Sequence, residues 1–238
     1  MQMTVQTESK KTLFLNLIRE FRIVWFFFLV LALLSTIITV VSALFPFVLQ
    51  LLCSSIKTPW GIVTGIFVHS LDEHLFGNLI TIAAYFFMFM YLSVSFSFEA
   101  KPAKAKSLVI IVFATAVFAN IVSLILVPQV KSIGASGIGF AILGVIFAES
   151  FKNVSLAIHS LVYLHTPVSP NFFISNLFVF IFLVFGLFLS PTAFFIITPG
   201  VNFFVHMYSF FLGDLCYLTY SLYQNKDVMM NNKTTPQS

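Results

Sequence analysis

Ser136 is the only hydroxyl in GASGIGFAILG, residues 134 to 144, and it stands between Gly134 and Gly137. A serine oxygen becomes a useful nucleophile once a base takes its proton. One candidate base lies far along the chain, His206 in GVNFFVHMYSFFLGD, residues 200 to 214. A third polar cluster, WGIVTGIFVHSLDEHLFGNL at residues 60 to 79, carries His69, His74 and Asn78 with the spacing H-x4-H-x3-N. His74 and Asn78 are one helical turn apart, so their side chains leave a helix on the same face. These are the parts of nucleophilic acyl transfer. Ser136 is the expected nucleophile and His206 the base, with His74, Asn78 and the Ser136 backbone N–H as donors to a tetrahedral oxyanion. No acidic third member is evident, so the expectation is a dyad.

Two plainer readings compete. Gly137, Ala141 and Gly144 are spaced for close helix contact, and a serine among them can serve packing alone. HSLDEH also has the residue types of a zinc peptidase, but its H-x3-E-H spacing is one residue longer than the inverted zinc signature. No metal is therefore expected. A histidine within a membrane span is expensive and marks function more often than packing. His206, Ser209 and Gly213 share one helical stripe, which would press small residues against the small face around Ser136 and bring the imidazole to it. Asp214 lies about 12 Å further along by helical rise, too far to orient His206, and is expected to cap a polar contact in the inner half.

The elements that must position these residues follow from composition. With 59% hydrophobic and 8% charged residues in 238, and a mean hydropathy of +1.02, the chain cannot cover a water-soluble surface. It reads as an all-α polytopic membrane protein. Runs of roughly 20 apolar residues, enough for about 30 Å of hydrocarbon, fall near 23–45, 75–97, 107–127, 136–149, 171–190 and 201–222. The expected organisation is a cytoplasmic segment 1–22, a six-helix membrane domain 23–222 and a cytoplasmic tail 223–238. Ten of the twelve lysines and arginines (Lys10, Lys11, Arg19, Arg22, Lys101, Lys104, Lys106, Lys152, Lys226 and Lys233) then lie on one side, with Lys57 and Lys131 on the other. By the positive-inside rule both termini are cytoplasmic, in the plasma membrane, and the charges need no role beyond setting topology. No basic stripe points to nucleic acid. Cys53 and Cys216 suggest neither a disulfide framework nor a metal site.

The fourth span is the unusual one. From Ser136 to Glu149 is about 14 residues, or ~21 Å, which is short of the hydrocarbon thickness. This helix is expected to start below the outer surface, with residues 128–135 as irregular backbone lining a wet depression. Residues 151–170, with His159 and His165, read as an interfacial segment without a site.

Taken together the motifs resemble those of the rhomboid family of intramembrane serine proteases. The resemblance covers residues 60 to 213 and rests on Trp60, Thr64, His69, His74 and Asn78; on Gly134, Ser136, Gly137, Ala141 and Gly144; and on His206 and Gly213. It implies a Ser136–His206 dyad, an oxyanion hole including His74 and Asn78, and no metal or cofactor. It also implies substrates that are themselves transmembrane helices, admitted sideways from the bilayer near the fifth span. That span and the following SPTAFFIITPG, residues 190–200, have the bulk and the Pro and Gly flanks of a movable gate. Three positions depart from the family pattern. Gly61 replaces an arginine, loosening the expected anchor of the first outer loop. Phe140 replaces a tyrosine that stacks on the catalytic histidine. Ser209 replaces a glycine, which predicts looser packing of the fourth and sixth helices. The competing functions are a rhomboid-like protein that binds membrane clients without cutting them, and a small transporter; the second would show internal repeats, and none is found.

Overall fold

In hydrocarbon an apolar run must close every backbone hydrogen bond within itself, and a helix does so. The computed structural model describes residues 15, 16, 18–69, 73–93, 101–165, 168–194 and 202–234. Among them are six long helices: α1 Arg22–Leu44, α2 Glu73–Ser93, α3 Lys101–Leu126, α4 Ser136–Val162, α5 Pro170–Leu189 and α6 Phe203–Thr234. The first five are long and apolar enough to cross a membrane. The chain is an integral, multi-pass, all-α membrane protein. In α6, His206, Ser209, Gly213 and Asp214 dilute the apolar residues, and it falls short of that hydropathy. Its polar side can be tolerated because α6 packs along α4 and α3.

α4 is the central helix. Two thirds of its span, 67%, is buried inside the protein, against 11% for α5 and 22% for α1. It touches α2, α3, α5 and α6, and its buried face includes Ile138, Ala141, Ile142, Val145 and Ile146. Aromatic edges link the outer helices to this core: Phe27 of α1 meets Phe86 of α2 and Phe113 of α3, both at 6.3 Å between ring centroids.

Several expected boundaries move. α4 does not stop at Glu149 but continues to Val162, so a helix occupies most of the stretch expected to be an interfacial segment. The charge that looked like a helix end is instead paired inside the bundle. Glu149 is fully buried, accepts from Lys104 Nζ at 2.6 Å and Lys152 Nζ at 2.5 Å, and takes a third bond from the Tyr217 hydroxyl at 3.0 Å. Lys104 and Lys152 thus do more than set topology: they neutralise a carboxylate that joins α3, α4 and α6. His159 sits in the last turn of α4 against Tyr163, and His165 follows with a φ of 50°. α3 begins at Lys101, placing the three lysines expected in a loop on its first turns. α6 runs past residue 222 to Thr234. The end of the second expected span, 94–97, lies outside the described residues, as do residues 195–200 of the expected gate.

The segment between α1 and α2 is compact. Pro46 breaks α1 and starts a short helix, Pro46–Leu52. A second short helix, Gly61–Thr64, and a 3₁₀ turn, Gly65–Phe67, follow. Trp60 donates its indole N–H to the Leu51 carbonyl at 2.7 Å, and Thr64 its hydroxyl to the Leu52 carbonyl at 2.8 Å. Gly61 packs so closely that a Cβ there would lie 2.1 Å from the Cys53 carbonyl oxygen. The loop is therefore anchored without an arginine, and the position admits no side chain.

Candidate active site

Ser136 is the first residue of α4. The turn that delivers it needs Gly134, whose φ of +103° L side chains rarely adopt, and whose absent Cβ would lie 3.2 Å from His74 Cε1 and 3.5 Å from Asn78 Nδ2. The two preceding amides are held by the first outer loop. The Gly134 N–H donates to the Gly65 carbonyl at 2.8 Å, and the Ala135 N–H to His69 Nε2 at 3.0 Å. The first N–H groups of a helix have no intrahelical acceptor, and Ser136 occupies that position at the start of α4.

His69 accepts that bond only as the neutral imidazole with its proton on Nδ1, which faces the Phe67 carbonyl at 3.4 Å. Burial favours this state, holding its pKa down at about 4, from the ordinary 6.5. His69, five residues before His74 and off the His74–Asn78 face, thus organises the outer loop by holding the backbone just before Ser136. A spacing pattern cannot show this, because the contact joins residues distant in sequence.

His206 Nε2 lies 2.9 Å from Ser136 Oγ. Phe140 stacks on the imidazole, with centroids 4.3 Å apart and planes 20° from parallel. The ring that replaces the family's tyrosine therefore still fixes the histidine plane. At the start of α6 the Asn202 carbonyl accepts from the His206 N–H at 3.4 Å, and the Asn202 amide donates to Ser123 Oγ of α3 at 2.7 Å. Asn202 stands at the outer end of the expected sixth span, and its partner Ser123 is 79 residues away, so the spacing of the motifs does not show this contact.

The contact depends on how close α4 and α6 come. A Cβ on Gly144 would lie 2.0 Å from the Phe210 carbonyl oxygen, and one on Gly213 would lie 2.4 Å from the Ala141 carbonyl oxygen. Gly137 faces Val205 and Ser209, with its absent Cβ 3.3 Å from Ser209 Oγ. The helices thus meet backbone to backbone despite Ser209, contrary to the looser packing expected. Asp214 makes no hydrogen bond or ion pair among the described residues; the inner-half polar contact expected of it forms on Glu149 instead.

His74 and Asn78 face the same place from α2. Both line, with Ser136 and Phe140, a cavity of about 820 Å³ walled by α2, α4 and α5. Asn78 Nδ2 is buried without a hydrogen-bond partner among the described residues. An unmet buried donor costs about 1–3 kcal/mol, which a bound oxygen would relieve. The remaining wall is apolar, with Phe178, Val179, Phe182 and Leu183 of α5 facing Tyr85 and Met88 of α2.

No curated protein matches the chain. Residues 57–223 match the Rhomboid domain, a stretch that holds every residue of the site just described, and the chain belongs to the rhomboid family.

Proposed function

We propose that the protein is an intramembrane serine endopeptidase that hydrolyses peptide bonds in or near the transmembrane segments of other membrane proteins. The observation that carries this reading is the 2.9 Å contact between His206 Nε2 and Ser136 Oγ at the mouth of an apolar cavity. His206 takes the Ser136 proton as Oγ attacks the scissile carbonyl carbon. The carbonyl oxygen becomes an oxyanion that accepts from the Ser136 N–H, Asn78 Nδ2 and His74. The C–N bond then breaks, His206 gives its proton to the departing amine, and Ser136 carries the acyl group. Water gives a proton to His206 as it attacks the ester carbon; the C–Oγ bond then breaks, His206 returns the proton to Ser136 Oγ, and the new carboxylic acid leaves and ionises in water. No metal or cofactor enters these steps.

The cavity supports this choice of substrate class. Its walls of phenylalanine, leucine and methionine suit an apolar helix, and α5, the least buried of the spans, is the wall that can yield to admit one. A substrate helix must unwind locally at Ser136, because its carbonyls are otherwise engaged in its own hydrogen bonds. In this reading α6 is the sixth span, both termini are cytoplasmic, and the site opens toward the outer face of the plasma membrane.

The test is covalent labelling of the purified protein by a fluorophosphonate. Wild type should carry the adduct on Ser136, while Ser136→Ala and His206→Ala should carry none. A wild-type protein that stays folded and unlabelled would favour a rhomboid-like protein that binds clients without cutting them.

A further inference from the structure

Ten of the twelve lysines and arginines obey the cytoplasmic bias, and the two exceptions are far apart in sequence. Yet Lys57 and Lys131 line one cavity of about 640 Å³ at the Ser136 end of the bundle. The chain brings them together through an antiparallel pair, Ser54 with Ser132, whose backbone N–H groups and carbonyls bond reciprocally at 3.0 and 3.2 Å. No acidic side chain lines the cavity, and neither lysine has an ion-pair partner among the described residues. Two exposed ammonium groups lining one cavity without a carboxylate give it a positive potential that favours an anion. The amides of Gln50 and Gln129 add neutral donors to the same wall.

The surroundings indicate which anion. The Pro46–Leu52 helix buries none of its residues, and Phe47 at 65% and Ile56 at 66% exposure stand at the cavity's apolar side. This helix directly follows the α1 span, at the level where a chain leaves hydrocarbon, and the half-exposed Trp60 nearby is a residue type that favours that level. A water-soluble anion would leave the apolar side uncovered; a lipid covers it with acyl chain.

We propose that this cavity binds the head group of an anionic glycerophospholipid, with its phosphate between Lys57 and Lys131 and its chains along Phe47 and Ile56. The proposal does not depend on proteolysis, since it concerns residues that take no part in the dyad.

Native mass spectrometry of the full chain in neutral detergent tests it, with phosphatidylglycerol, phosphatidylcholine and inorganic phosphate as probes. Wild type should retain phosphatidylglycerol in preference to phosphatidylcholine. Lys57→Gln and Lys131→Gln should each weaken retention about 5-fold and the double variant about 30-fold, while the double arginine variant keeps it. Both side chains are exposed, and thermal midpoints within error of wild type would show that the fold is retained. Equal retention of the two lipids by wild type would overturn the proposal, as would undiminished retention by the double glutamine variant. Binding of inorganic phosphate without lipid selectivity would overturn the lipid assignment.

Discussion

At the residue scale the site divides into groups that react and groups that hold them. In the proposed mechanism Asn78 and His74 belong to the first set, as oxyanion donors. Because the load is shared with the Ser136 N–H, Asn78→Ala and His74→Ala should each slow cleavage by no more than about 100-fold, the lower end of the range for losing one such donor. Both should still accept a fluorophosphonate on Ser136. Their double variant should lose less than the product of the two, since both act on one oxygen. Wild-type turnover in both single variants would make these side chains structural. His69 belongs to the holding set. Its pKa falls from 6.5 to about 4 on folding, so its neutral form is favoured by the fold. The stability it contributes is complete above pH 6.5 and is lost as pH falls toward 4. The thermal midpoint should drop over that window, and His69→Gln, which keeps an acceptor for the Ala135 N–H but does not titrate, should drop less. Identical acid profiles would remove His69 from this role. That Ser136, His206, His74 and Asn78 could converge was legible, because such polar residues are conspicuous in or beside apolar spans, and the fold does bring them together. The holding groups were not: Asn202 and the His69 bond to Ala135 exist only once distant segments meet.

At the element scale the account rests on α4 lying against α6 at backbone distance. Gly144→Ala would drive a methyl group to 2.0 Å from the Phe210 carbonyl, so the helices must separate. The expected cost is about 1–3 kcal/mol of stability, with a larger loss of activity because Ser136 and His206 sit on the two separating helices. Gly77→Ala is the control, since nothing lies within 4 Å of its absent Cβ, and its melting temperature should be no lower than wild type. If Gly144→Ala melts with wild type, the close approach does not set the geometry. The starts of α1, α2, α4 and α5 lie within two residues of their expected positions, because each begins where a charge, Ser136 or a proline interrupts the apolar pattern. The inner end of α4 was misread for a physical reason. Glu149 and Lys152 look like residues leaving the membrane until Lys104 and Tyr217 arrive from other helices to satisfy them.

At the scale of the whole molecule, the proposed orientation puts the Ser136 end outside the cytoplasm, in keeping with the bias of the lysines and arginines. A cysteine in place of Lys131, in a Cys216→Ala background, should react in intact cells with a membrane-impermeant maleimide. One in place of the exposed Lys106 should react only after permeabilisation; the reverse pattern would invert the orientation. Lys104 is unsuitable for this purpose because it is bonded to Glu149. The claim that joins all three scales is that this bundle cuts membrane helices with Ser136 and His206. Its most direct test is cleavage of a transmembrane substrate by the purified protein, reconstituted in lipid, with melting temperatures measured in parallel. Wild type should cut the substrate, at a rate insensitive to chelators, while Ser136→Ala and His206→Ala remain folded and leave it intact. Cleavage by folded Ser136→Ala at the wild-type rate would contradict the account.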